Sequence, residues 1–138
     1  MRPGWRAIWG LPNTVVGLLC ALLSLARPRW VDGVLVVESR RGFAHLFLTR
    51  RRFAAVTLGR VIITTVPITP ALWRHELEHV RQSERWGPCF IPLYLYLYLR
   101  KGYWNHPFEV AARRAEMVAG RDADPSRDDR APEGYQIP

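Results

Sequence analysis

Between Thr69 and Gly87 the chain carries a full set of helix boundary signals, and they constrain its fold more than any other stretch. Thr69 can cap the N-terminus, Pro70 suits the first helical position, and Gly87 suits the left-handed position past the end. The sequence therefore predicts a helix over 70–86. Projected at about 100° per residue, that helix has two unlike faces. One carries His75, His79 and Glu76 among Leu72, Trp73, Val80 and Ser83; the other carries Glu78 among Arg74, Arg81, Gln82 and Arg85.

The run His75-Glu76-Leu77-Glu78-His79 can be read as HExxH, with Glu76 beside the first histidine, or as the inverted HxxEH, with Glu78 beside the second. Both readings keep His75 and His79 as a pair of metal ligands, because residues four apart share a helix face. The two glutamates stand equally far from the bisector of the histidines, so the motif alone does not choose between them. Their neighbours do. Glu78 has arginine partners on the solvent side, worth roughly a few tenths of a kcal/mol. Glu76 has none, and a carboxylate beside two imidazoles on an apolar face is costly unless something there uses it. Glu76 is the candidate general base.

A catalytic zinc takes a third protein ligand and keeps one position open. The stretch "NHPFEVAARRAEMVAG" signals a further helix, begun at Asn105 or His106 and ended at Gly120. In its first turn Glu109 is the candidate third ligand, and Ala111, Ala112 and Ala115 allow close packing on a neighbouring helix. Glu109 could equally serve its own helix N-terminus. His106 is the alternative ligand, and Glu116 could instead hydrogen-bond a ligand histidine.

The rest of the chain frames this pair of helices. "VDGVLVVES", "FAHLFLT", "FAAVTLG" and "RVIITTV" are rich in Val, Ile, Phe and Thr and are separated by Gly and Arg. They predict three or four antiparallel strands in a meander, with His45 sharing a strand face with Phe43 and Phe47 as a surface or core residue. "PCFIPLYLYLYLRKG" has a Leu/Tyr alternation that suits either period, and a helix is the preferred reading. The tail 121–138 is polar and without periodicity and is expected to be disordered.

Residues 7–26 are uncharged, but Pro12 interrupts them, and Asn13 is expected to cap a helix starting at Thr14. Thr14 to Ala26 would be about 20 Å long, shorter than a hydrocarbon core of ~30 Å. Packing in the core, a membrane-surface helix and a cleaved signal therefore stay open for 1–29. The expected location is a membrane surface, reached peripherally, or the cytoplasm. Of the 20 basic residues 19 are Arg, and the excess positive charge lies within residues 1–60, away from the histidine motif, at turns such as "SRRG" and "TRRRF". These read as solvated turn tips in preference to an anionic-lipid or nucleic-acid patch, and no specific nucleic-acid partner is expected. Cys20 and Cys89 belong to no metal-type pair and are expected as buried free thiols.

"HELEH" followed at a distance by a helical "NHPFEVAA" resembles the gluzincins, zinc peptidases with HExxH and a downstream glutamate ligand. Over residues 56–117 the chain also looks like small uncharacterised bacterial zincin-like proteins that carry "HExxHVRQxERWGP" and a later "NPFE". The resemblance implies His75 and His79 as zinc ligands, Glu76 as general base and Glu109 as third ligand. It further implies a helical 88–101 segment, a strand before the active helix, and a peptide or protein substrate. His106 stands between Asn105 and Pro107, where those proteins have Asn-Pro.

The expectation is an α+β, zincin-like metal-binding domain over 30–120. An N-terminal apolar and basic helical segment over 1–29 precedes it, and the domain comprises a three- to four-stranded antiparallel sheet, the helix 70–86 and two further helices, with Zn2+ as cofactor. The expected chemistry is hydrolysis of a peptide or amide bond. The reading from another class is a non-catalytic module with a structural or degenerate zinc site, whose basic, Trp-rich N-terminal half meets a membrane. Substrate and oligomeric state are not fixed by the sequence.

Overall fold

The computed structural model describes residues 3–24, 26–51 and 53–123. Two helices open the chain, α1 over Pro3–Trp9 and α2 over Leu11–Leu23. Strands β1 (Pro28–Val31) and β2 (Val34–Glu38) follow, then helix α3 (Gly42–Arg51) and strands β3 (Ala55–Leu58) and β4 (Val61–Thr64). Helix α4 spans Pro70–Trp86, a 3-10 turn covers Gly87–Cys89, and α5 (Phe90–Lys101) and α6 (Pro107–Ala123) complete the described chain. The class is α+β, as expected.

The sheet is mixed, not an antiparallel meander. Its order is β1-β2-β4-β3, with β2 and β4 parallel and the outer pairs antiparallel. "VDGVLVVES" is not one strand: Asp32 (φ 50°) and Gly33 (φ 78°) form a tight turn between β1 and β2, since positive φ at both central residues matches the twist of a hairpin. "FAHLFLT" lies in α3. Parallel β2 and β4 require a crossover, which α3 and β3 supply. Leu48 is fully buried while Leu46 is 59% exposed, and a strand would put these two on one face. His45 is accordingly a helix residue, with Nδ1 3.2 Å from the Ser39 carbonyl.

Alternation along the strands gives the sheet two working faces. Leu35, Val37, Val61 and Ile63 face α2 and α3, packing with Cys20, Ala21 and Leu48. Val34 and Ile62 face α4, packing with Val80, Trp73 and Leu77. Helix α6 lies along α4, and Ala112 is fully buried there. The sheet thus separates an α2/α3 layer from the layer that carries the histidines.

The N-terminal segment departs from the expected boundaries. Pro12 sits inside the first turn of α2, where a missing N–H breaks no hydrogen bond. Asn13 is not a cap. It is buried, and its Nδ2 donates to Ser83 Oγ (2.9 Å) and to the Gly87 carbonyl (2.7 Å), tying α2 to the end of α4. At Gly17 a Cβ would stand 2.6 Å from the Leu58 carbonyl oxygen, so glycine lets α2 lie directly on the β3–β4 hairpin. No helix is long and apolar enough to cross a membrane among the described residues. Cys20 is partly buried and Cys89 exposed, against the expectation of two buried thiols. Gly120 does not end α6, which runs on to Ala123; the expected disordered tail otherwise lies outside the described residues.

Candidate metal centre

Helix α4 begins and ends where its punctuation predicts. Thr69 Oγ1 accepts from the Leu72 amide at 3.2 Å, Pro70 is the first helical residue, and Gly87 terminates the helix with φ 55°. The helix therefore enters the site in a fixed register. His75 and His79 lie one turn apart with ring centroids 5.1 Å from each other.

From α6, Glu109 faces both rings. His75 Nε2 is 3.5 Å from Glu109 Oε2, and His79 Nε2 is 3.2 Å from Oε1. One ligand atom from each of His75, His79 and Glu109 falls within 4.8 Å of the others, so the group could hold a metal ion. Neighbouring donors around a tetrahedral ion with bonds near 2.1 Å stand about 3.4 Å apart, which the two glutamate–histidine separations match.

Hydrogen bonding decides which atoms offer lone pairs. His75 Nδ1 is 3.1 Å from Glu116 Oε2, and a carboxylate can only accept, so Nδ1 carries the proton. His79 Nδ1 is 2.9 Å from Gln82 Oε1. Gln82 Nε2 donates to the Phe108 carbonyl at 3.1 Å, which orients the amide with its oxygen toward His79. In neutral imidazoles both Nε2 atoms are then bare lone pairs, aimed at a carboxylate. Glu109 Oε1 accepts from Tyr94 Oη at 2.6 Å, whereas its Oε2 is buried with no hydrogen-bond partner. Three converging electron pairs and an orphaned carboxylate oxygen fit a cation.

The charges respond accordingly in the absence of an ion. Burial pulls the His75 and His79 imidazoles down, but the hydrogen bonds and negative charge of Glu109, with Glu76 adding, leave both above their ordinary value. Burial pushes Glu109 up, yet the two histidines and Tyr94 hold it well below the usual carboxylate range. Burial and the Glu109 charge push the Tyr103 hydroxyl up to about 12.

Glu76 is buried on the same side of α4, and its Oε2 accepts from Thr57 Oγ1 of β3 at 2.6 Å. Burial raises its carboxyl, only partly offset by His79, Thr57 and His75. Glu78 lies on the outer side and pairs with Arg81 at 3.5 Å. His106 does not join the cluster. It is fully buried, its Nδ1 accepts from the Phe108 amide (3.2 Å), and Nε2 therefore donates to the Tyr94 carbonyl (3.0 Å). It clamps α5 to the start of α6 with both nitrogens in use.

Thr57, Gln82 and Tyr94 are missing from the residues expected on sequence grounds. Gln82 stands three positions after His79, within reach of it on a helix, but the sequence reading puts it on the arginine face around Glu78; the structure turns it to His79 instead. Comparison with protein families, curated proteins and solved structures finds no match to this chain.

Proposed function

We propose that this protein is a zinc-dependent hydrolase of the zincin type, acting on a peptide or amide bond. The observation that carries the reading is the division of roles around α4. Two histidines and Glu109 converge as donors, while a second carboxylate, Glu76, is buried beside them and held by Thr57 from the sheet. With His106 engaged by backbone on both nitrogens, the described residues supply three donors, the number associated with catalytic rather than closed structural sites.

His75, His79 and Glu109 would hold the ion; when bound, zinc supplies Lewis acidity toward a carbonyl oxygen and lowers the pKa of a water. Glu116 and Gln82 fix the tautomer and ring orientation of the two histidines. Tyr94 holds Glu109 in place from α5. Glu76 removes the proton from the attacking water and delivers it to the leaving amine. A carboxyl raised by burial is suited to both transfers, because its pKa moves toward the working pH.

The test compares Glu76→Gln with Glu78→Gln against a general peptide library cut by the wild type. Glu76→Gln should retain metal and lose cleavage, by about 10²-fold or more. Glu78→Gln should retain both, since it removes only a partly buried partner of the exposed Arg81 on the outer side of α4. Loss of cleavage in Glu78→Gln alone would overturn the assignment, and a library left uncut by the wild type would count against peptidase activity.

A further inference from the structure

Helix α2 is turned inside out relative to an ordinary surface helix. Its inward-facing positions, Asn13, Gly17 and the following Ser24, are small or polar and buried. Leu11, Val15, Leu18 and Leu22, at spacings of four, three and four, form a stripe on the opposite face, and Leu22 is 75% exposed. Leu19 and Leu23 widen the stripe, and no charge occurs between residues 7 and 26. Trp30 of β1 stands on the same side of the sheet, because it pairs with Leu35, which packs on Cys20 and Ala21 of α2. It is 72% exposed. An exposed apolar stripe of this kind marks an interaction site.

The charge at its end says what covers it. Where α2 stops, a cavity of about 390 Å³ is lined by Arg27, Arg29, Arg40 and Arg41 with a single carboxylate, Glu38. Glu38 pairs with Arg29 at 3.3 Å. Among the described residues, the other three arginines form no ion pair with a carboxylate. We infer that the α2 face with this arginine cavity is a docking surface for a membrane containing anionic phospholipid. The leucine stripe enters the acyl boundary, and the arginines take the lipid phosphates.

A second copy of the chain could bury the stripe, but it brings to this face the same arginines with the single carboxylate Glu38 and so leaves their charge without anions. The acidic residues after Arg121 could meet the arginines, but in residues 124–138 the large apolar side chains are only Tyr135 and Ile137, too few to cover a stripe of six aliphatic residues. An anionic membrane meets both requirements at once: apolar burial, and favourable charge from each arginine near the surface. The His75–His79–Glu109 group lies across the sheet from this face, so docking is independent of the metal centre.

The experiment is flotation of the purified full chain with vesicles of phosphatidylcholine alone and of phosphatidylcholine with one-third phosphatidylglycerol. The protein should float with the anionic vesicles and stay behind with the neutral ones. Replacing Arg27, Arg40 and Arg41 by Gln together should weaken binding about 10-fold or more. Leu19→Ser with Leu22→Ser should abolish it without altering metal content, which controls for folding because both side chains are exposed. Added inorganic phosphate should not release the wild type from the vesicles beyond what sodium chloride of equal ionic strength does. Equal binding to neutral vesicles, an undiminished arginine variant, release by phosphate beyond that level or no flotation at all would each overturn the inference. In the last case, a dimer that becomes monomeric in the leucine variant would assign the face to a second copy.

Discussion

Gln82 Oε1 stands 2.9 Å from His79 Nδ1, and the same side chain donates to the Phe108 carbonyl at the start of α6. One residue thus sets the tautomer of a ligand histidine and joins the helix that bears His79 to the helix that bears Glu109. Gln82→Leu keeps the volume but removes both contacts. Metal affinity should fall about 10–100-fold, the usual cost of losing an outer-shell partner. A competition titration with a chelator measures it. Unchanged affinity would show that His79 needs no orienting partner.

Acid should compete with the metal. Both histidines lie above the ordinary value of 6.5 in the metal-free protein, because Glu109 and Glu76 favour their charged forms over the opposing effect of burial. Their contribution to metal-free stability is therefore complete below about pH 6.5 and is lost as pH rises through the raised values. Metal binding requires neutral imidazoles and works in the opposite sense. The rise in melting temperature on adding zinc should grow steadily from about pH 6 to pH 8. A thermal-shift series in which the rise is flat or shrinks across that window would be inconsistent with histidine ligation.

Asn13 bridges the N-terminal helix to the end of α4 through two buried hydrogen bonds. Asn13→Ala leaves the Gly87 carbonyl and the Ser83 hydroxyl without this donor. The loss should be about 1–3 kcal/mol in urea unfolding. A change well under about 0.5 kcal/mol would mean that water replaces the amide without loss.

Legibility in the sequence follows the range of the interactions. Helix α4 could be read to the residue because Thr69, Pro70 and Gly87 act within a turn of themselves. The β3–β4 hairpin was legible for the same reason, with Gly59 (φ 63°) at its turn. The Asp32-Gly33 turn was locally encoded too, but it lies inside an apolar run whose continuity suggests a single strand. Helix α3 was not legible. "FAHLFLT" has strand composition, and the demand for a crossover between parallel β2 and β4 arises only once those strands pair. At the site, His75, His79 and Glu109 could be nominated from helix spacing and small neighbours. Tyr94 and Thr57 could not, since each meets its glutamate only through tertiary packing. Asn13 has the composition of a cap, and nothing local distinguishes a cap from a buried tie to a residue 70 positions away.

The most direct measurement is the metal content of the purified full chain beside His79→Ala and Glu109→Ala, after exchange into metal-free buffer. About one equivalent of zinc is expected in the wild type, falling well below half an equivalent in each variant, with circular dichroism showing the fold retained. Full zinc content in both folded variants, or none in the wild type after zinc is supplied and excess removed, would contradict a metal centre at His75, His79 and Glu109.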